Sequence, residues 1–176
     1  MSGRRVLVAY ATKMGSTAEI ADAIADQLRS HELEVVVLPF SAAPDPSGFD
    51  AFVGGSAIYA TRWQRSARRY LRDHRETLAA RPCWLFESGP TGDLSERRHE
   101  SPAGVIRLAG EIGSPQIKVF GGNLDAARAT SAIAKWVANS DLAGDYRNWT
   151  DIRDWADGVA RSLIGGVPDS VAGSEG

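Results

Sequence analysis

The chain has 176 residues, of which 43% are hydrophobic and 24% charged, a composition typical of an ordinary soluble globular protein. The formal net charge of −2 does not suggest that the whole molecule binds nucleic acid. The single cysteine, Cys83, excludes an internal disulfide, and no apolar run approaches the length of a membrane span, so the cytoplasm is the expected compartment.

Strand-like and helix-like patterns alternate along the chain. The continuous β-rich run at 5–11 is followed by a predicted helix at 17–30, in which Ile20, Ile24 and Leu28 form an apolar stripe. Further strands are predicted at 34–40, 51–59, 82–88 and 116–122. Further helices are predicted at 63–79, 96–112, 126–138 and 150–164.

This alternation predicts an α/β fold with three layers, built on a doubly wound, five-stranded parallel sheet in the order 2-1-3-4-5. One domain is expected over 1–164, with an insertion at 123–149 between the fifth strand and the last helix. The small, polar segment 165–176 is expected to be a disordered tail. Ligands of such sheets bind outside the carboxyl ends of the strands, so the loops after strands one, three and four should form the site.

The loop "TKMGST" joins the first strand to the first helix. A helix N-terminus presents unpaired N–H groups to an anion, Thr12, Ser16 and Thr17 add hydroxyl donors, and Lys13 adds charge. An ordinary helix cap is the alternative, but a cap needs only one hydroxyl. The loop matches neither the Walker pattern nor G-x-G-x-x-G. The predicted phosphate-binding residues are Thr12, Lys13, Met14, Gly15, Ser16 and Thr17.

The segment "VAYATKMGSTAEIADAI" resembles the flavodoxin signature. The matching positions are Tyr10, Thr12, Gly15, Thr17, Ala21 and Ile24, whereas Ala9 stands where a larger apolar residue is usual. The resemblance implies FMN as the cofactor, with its phosphate held by Thr12 to Thr17.

The resemblance also implies that the flavin ring lies between the loops after strands three and four. Tyr59 and Trp63 are the aromatic candidates for stacking, although Trp63 could instead pack in the core. Electron-carrier flavodoxins often have a glycine near the reactive nitrogen, and "AIYA" has none. The implied ring contacts are Ala57, Ile58, Tyr59, Ala60, Ser88, Gly89, Pro90, Thr91, Gly92 and Asp93.

Three other segments resemble the menaquinone-dependent protoporphyrinogen oxidases, which are flavodoxin-like enzymes: "GGSAIYATRWQRSARRYLRDH", "VFGGNLD" and "YRNWTDIRDWADGVARSL". This resemblance implies an FMN-dependent oxidoreductase that oxidises a small substrate, such as a porphyrinogen, and reduces a quinone. The insertion at 123–149 departs from that family, because it is alanine-rich rather than basic and aromatic. A non-enzymatic electron carrier and an anion-binding module without redox activity remain as alternatives.

Arginines recur on one face of the predicted helix at 63–79. Such a face attracts an anion or an anionic membrane, although a charge run is usually a solvated surface. In the insertion, Ile133, Trp136 and Val137 form an apolar patch that could meet a bilayer, a hydrophobic substrate, its own domain or a second copy in a homodimer. The predicted substrate or partner contacts are Arg62, Trp63, Arg65, Arg69 and Trp136.

Other catalytic patterns are absent from the sequence. The three histidines show no metal-ligand spacing, and no Ser-His-Asp arrangement is visible. A flavin enzyme needs neither, because the cofactor carries the electrons, and no catalytic side chain is predicted.

Overall fold

The structure, a computed structural model, describes residues 3–59, 62–89, 101–124, 132, 135 and 144–165. The strands are β1 (Arg5–Ala11), β2 (Glu34–Pro39), β3 (Ala51–Tyr59), β4 (Arg62–Trp63), β5 (Cys83–Gly89), β6 (Ile117–Gly121), β7 (Asn123–Leu124) and β8 (Gly144–Asp145). The helices are α1 (Ser16–Arg29), α2 (Arg65–Asp73), α3 (Arg75–Ala79), α4 (Ala103–Glu111) and α5 (Trp149–Gly165).

The main sheet is parallel and has the strand order β2-β1-β3-β5-β6, which confirms the predicted doubly wound α/β fold. The five long strands are the five that the sequence predicts, and β4 is a short addition that pairs antiparallel with the end of β3. A separate two-stranded ribbon joins β7 to β8. The order places β1 between β2 and β3, and the winding direction changes between β1 and β3.

Alternate residues of each strand face opposite sides of the sheet and build two hydrophobic cores. Val6 and Val8 of β1 pack in the core that α1 and α5 cover. Leu7 and Ala9 pack in the core that α2, α3 and α4 cover. All four side chains are fully buried, and burial of a Val or Leu side chain stabilises the fold by about 1.5–3 kcal/mol.

The predicted helix at 63–79 is wrong in two respects. Its first residue, Trp63, belongs to β4 and pairs with Ile58 of β3. The rest is divided into α2 and α3 at His74, where the backbone has φ −110° and ψ 17°. The His74 N–H still donates to the carbonyl of Tyr70, and the two rings lie 4.5 Å apart.

The other helices differ from prediction mainly at their ends. Helix α4 begins after Pro102, which is the N-cap with φ −55° and ψ 133°. Proline is tolerated at a helix start, because the N–H that it lacks has no helical partner there. The predicted helix at 126–138 lies outside the described residues except for 132 and 135. Gly165 ends α5 rather than opening a tail, and residues 166–176 are also outside the described part. The domain boundaries therefore stay a prediction.

Candidate functional site

The register of the sheet brings three loops to one edge. At the carboxyl ends of the strands, Ala11 of β1 pairs with Ser56, and Ala57 pairs with Ser88. Beyond them Gly89 pairs with Gly121 of β6. The loop after β1 therefore starts beside the carboxyl ends of β3 and β5, as expected for a ligand site at the switch point.

The loop after β1 is closed by its own hydrogen bonds. The Gly15 N–H donates to Oγ1 of Thr12 at 2.9 Å, and Gly15 has a positive φ of 86°. This left-handed conformation suits glycine and costs any other residue about 1–2 kcal/mol. The first helical hydrogen bond runs from the Glu19 N–H to the Gly15 carbonyl. The N–H groups of Ser16 and Thr17 thus precede the helical hydrogen-bond ladder at the positive end of a 14-residue helix.

The two hydroxyls that open α1 are held by distant parts of the chain. Oγ of Ser16 accepts a hydrogen bond from the backbone N–H of Asn123 in β7 at 3.0 Å. Oγ1 of Thr17 lies 2.7 Å from Oγ of Ser88, at the end of β5. Thr17 is fully buried, and Ser16 and Ser88 are nearly so. These contacts fix α1 against both β5 and the ribbon that follows β6.

This arrangement leaves hydroxyl protons for an anion. The Thr12 and Ser16 oxygens act as acceptors for backbone N–H groups, and a hydroxyl that accepts keeps its own proton to donate. In the Thr17–Ser88 pair only one hydroxyl donates to the other, so one proton remains. Helix N–H groups and oriented hydroxyl donors are the chemistry that binds a phosphate, and the residues present fit one.

The other predicted site residues in the described part differ in how far they are buried. Lys13 is exposed and Met14 is partly buried. Ala57 is partly buried and Ile58 is buried beside Trp63. Gly89 is buried at the end of β5.

Trp63 is a core residue, and its predicted role as a substrate or stacking contact is wrong. Its side chain is only 1% exposed, and Nε1 donates a hydrogen bond to Oε2 of Glu87 at 2.8 Å. In β4, Trp63 pairs with Ile58 of β3, and its indole is buried. The core alternative for this tryptophan is therefore correct.

Glu87 is a buried carboxylate that sequence reasoning missed. It is fully buried in β5, and Oε1 accepts a second hydrogen bond from Oγ of Ser101 at 2.7 Å. A buried charge requires such donors, because its transfer from water is otherwise costly. Glu87 thus ties together the β3–β4 hairpin, the end of β5 and the segment before α4. A lone glutamate in the apolar strand "CWLFESG" is the signal that could have identified it.

Arg147 secures the ribbon after β6 against α1. Its side chain is 7% exposed, forms ion pairs with Asp145 and Glu19, and stacks 4.6 Å from the ring of Trp149. Hydrogen bonds to Asp145, followed by those to Glu19, raise the pKa of the guanidinium despite its partial burial. Because Glu19 lies in the first turn of α1, this contact also supports the position of the Thr12–Thr17 loop.

The arginines of the predicted anion-attracting face are on the surface. Arg62, Arg65 and Arg69, which were predicted as partner contacts, are exposed. On the opposite side of α2, Ala67 and Leu71 are fully buried. Six predicted site residues lie outside the described residues and stay predictions: Ala60, Pro90, Thr91, Gly92, Asp93 and Trp136. The ring-stacking role of Tyr59 also stays a prediction.

The described part of the chain has neither a membrane-spanning helix nor a metal-binding cluster. None of its helices is long and apolar enough to cross a membrane. The same residues contain no group of three His, Cys, Asp or Glu side chains that could hold a metal ion.

The family model and the similar solved structures agree on one family. The family model described as "Flavodoxin domain" matches residues 7–138. Among solved structures, a flavodoxin from the Archaea has a TM-score of 0.60 at 14% identity, over 91% of this chain and 99% of that one. Oxidised flavodoxin 2 from Bacillus cereus has a TM-score of 0.57 at 17% identity, over 92% and 99%.

A larger protein also contains this fold. Rubredoxin oxygen:oxidoreductase from Desulfovibrio gigas has a TM-score of 0.63 at 13% identity, over 93% of this chain but only 37% of that one. At these identities the structural likeness shows the fold alone. A search of curated proteins gives no match.

Proposed function

The chain belongs to the flavodoxin domain family, and on this premise we propose that it binds FMN at the carboxyl edge of its sheet and transfers electrons through it. FMN is the cofactor of that family, so the prediction of FMN is confirmed at the level of the family. When bound, FMN supplies reversible uptake of one or two electrons.

The observation that carries the proposal is the Thr12–Thr17 loop. Its hydroxyls are oriented by backbone N–H donors and by Ser88, and they lie at the N-terminus of α1. Thr12, Ser16, Thr17 and the first N–H groups of α1 would hold the phosphate by charge-assisted hydrogen bonds. No Walker lysine is required, because the helix terminus and hydroxyl protons supply the donors.

The loops after β3 and β5 would flank the ring of the cofactor. Glu87 at the end of β5 accepts hydrogen bonds from Trp63 in β4 and from Ser101 before α4. These contacts fix the strand ends from which the two loops leave, which would lower the ordering cost of binding.

We further propose that the chain is an enzyme rather than only a carrier. It would remove two electrons and two protons from a small reduced substrate, such as a porphyrinogen, and a quinone would take up two electrons and two protons to become a quinol. Two features of the sequence support this: the resemblance to menaquinone-dependent protoporphyrinogen oxidases, and the absence of a glycine in "AIYA".

A non-enzymatic electron carrier is the second candidate. The full-length match to small flavodoxins favours it, since the chain covers 99% of each of two such proteins. The two candidates share the FMN site and differ in whether a small substrate is turned over.

The visible absorption spectrum of the freshly purified protein, with mass analysis of the released cofactor, tests FMN binding. A flavin spectrum and the mass of FMN are expected. A colourless protein that also refuses added FMN would contradict both redox candidates and favour an anion-binding module.

Anaerobic reduction then separates the enzyme from the carrier. Reduction in one two-electron stage, together with turnover of protoporphyrinogen in the presence of a menaquinone analogue, is expected for the enzyme. Two separate one-electron stages without turnover of a small substrate would identify the carrier instead.

A further inference from the structure

A groove rich in arginine lies between α2–α3 and α4. It has a volume of about 850 Å³, and we call it the arginine groove. Its charged lining residues are Arg68, Arg72, Arg75, Glu76, Arg107 and Glu111. Four guanidinium groups therefore face two carboxylates across a concave surface.

The positive surface continues over α2. A smaller adjoining depression of about 430 Å³ shares Arg68 and Arg72 with the arginine groove and adds Arg65, Arg69 and Asp73. Across the two depressions six arginines meet three carboxylates, which leaves a local charge of +3. The whole chain has a formal charge of −2, so the field at this face opposes that of the rest of the molecule.

These guanidinium groups remain available for a ligand. Nε of Arg69 lies 3.3 Å from Oδ2 of Asp73, and Nε of Arg107 lies 3.4 Å from Oε1 of Glu111. The two arginine side chains are nevertheless 72% and 83% exposed. Exposed ion pairs contribute little, so a better-placed anion can displace them. In the described part of the chain no carboxylate lies within ion-pair distance of Arg65 or Arg68.

We propose that the arginine groove docks an acidic segment of a protein that exchanges electrons with this chain. Guanidinium groups bind carboxylates through paired, parallel hydrogen bonds, and a row of them suits a row of Asp or Glu side chains. The inference rests on the proposed function, because the partner's role is to exchange electrons at the site described above.

The groove leads towards that site. Helix α2 begins directly after the β3–β4 hairpin, and the Gln64 N–H donates to Oγ of Ser56 at 3.0 Å, which fixes the start of the helix to β3. At a rise of about 1.5 Å per residue, Arg65 and Arg72 are about 10 Å apart along the axis. A segment that lies along α2 therefore has one end beside the carboxyl edge of the sheet.

The shape and lining of the groove favour a protein over a membrane. A bilayer surface is flat, whereas this site is a cleft with Glu76 and Glu111 on its walls. Among the described residues the exposed large apolar side chains are Ile106, Tyr146 and Ile164, and none lines the groove. The apolar lining of the groove is Ala79, which is small, and Leu108, which is partly buried, so the groove lacks the large protruding apolar side chains that insert into lipid.

The test uses the FMN-loaded, full-length protein and a fluorescein-labelled oligoglutamate peptide in an anisotropy titration at several salt concentrations. Replacement of Arg68, Arg72 and Arg107 by glutamine should weaken peptide binding at least about tenfold. The matched control replaces Arg4, Arg153 and Arg161, which are exposed outside the groove, by glutamine. This control should weaken peptide binding less than about threefold.

Three outcomes would overturn the inference. The groove and control variants could lose affinity equally, which would mean attraction by net charge alone. The wild-type protein could fail to bind the peptide at physiological salt. It could also bind phosphatidylserine vesicles and not the peptide, which would identify a membrane surface. The flavin absorbance of each variant is measured in parallel, so loss of the cofactor is distinguished from loss of docking.

Discussion

The Thr12–Thr17 loop and the arginine groove are both suited to anions, but by opposite means. The hydroxyls of the loop are buried or partly buried, and each has a fixed partner within 3.0 Å. The groove is open, and its guanidinium groups lie on long, exposed side chains. The loop would therefore bind an anion through pre-organised donors, whereas the groove would bind one through charge.

The difference predicts how each region responds to mutation. Removing one donor from the loop also leaves a buried partner unsatisfied, so single changes should be costly there. In the groove, water solvates whatever remains after a change, and stability should hardly respond.

The largest effect is expected for the double variant Ser16→Ala, Thr17→Val. A hydrogen bond to a charged group contributes about 1.5–3 kcal/mol, so the loss of two should weaken FMN binding at least about 100-fold. Quenching of flavin fluorescence on titration measures the affinity. The control Ser30→Ala, Thr77→Val removes two hydroxyls that lie away from the loop, and it should leave the affinity for FMN unchanged. Wild-type affinity in the double variant would refute the phosphate assignment.

Glu87→Gln should reduce the free energy of unfolding by about 1–3 kcal/mol. Trp63 and Ser101 both donate to the carboxylate. In the variant a neutral amide oxygen accepts the Trp63 N–H in a weaker hydrogen bond, and the Ser101 hydroxyl has to reverse from donor to acceptor. Urea denaturation measures the change. Glu76→Gln is the control, because that side chain is 90% exposed and should change stability by less than about 0.5 kcal/mol. Equal stability of both variants would contradict the structural role of Glu87.

Gly15→Ala should cost about 1–2 kcal/mol, because alanine resists the positive φ of 86°. The loop should also lose FMN affinity, since the Gly15 N–H bond to Thr12 would be disturbed. The control is Gly158→Ala in α5, where a Cβ would meet nothing within 4 Å and helix propensity should add about 0.5–1 kcal/mol of stability. Thermal unfolding measures both variants: the melting temperature should fall for Gly15→Ala and rise for Gly158→Ala.

The smallest effect is expected in the arginine groove. Replacement of Arg68, Arg72 and Arg107 by glutamine should change the free energy of unfolding by less than about 1 kcal/mol in total. Urea denaturation beside the wild type checks this. A loss of several kcal/mol would mean that the arginines support the fold, and the contrast with the loop would fail.

Local patterns were sufficient to predict most of the fold. The apolar run of β1 and the stripe of Ile20, Ile24 and Leu28 depend on residues close in sequence, and the five main strands appear where they were predicted. Five alternating strands then fit the doubly wound order 2-1-3-4-5, in which each crossover connection is right-handed. The site's location could also be predicted, because parallel strands of this order share one ligand-binding edge.

Prediction from local patterns failed where strand pairing and side-chain contacts determine the structure. The sequence after β3 has helical periodicity, but antiparallel pairing with Ile58 takes Trp63 into a strand. The break at His74 and the burial of Glu87 have the same origin, since each depends on contacts that the helical repeat does not encode.

The sequence by itself determined the strands, the first helix and the hydroxyls of the Thr12–Thr17 loop, because those features arise from neighbouring residues. Only the tertiary structure decided what holds those hydroxyls. Ser88 is 71 residues from Thr17, and Asn123 is 107 residues from Ser16. Such partners meet only when the sheet has formed, because hydrogen bonds across that separation require the packed core to fix both ends.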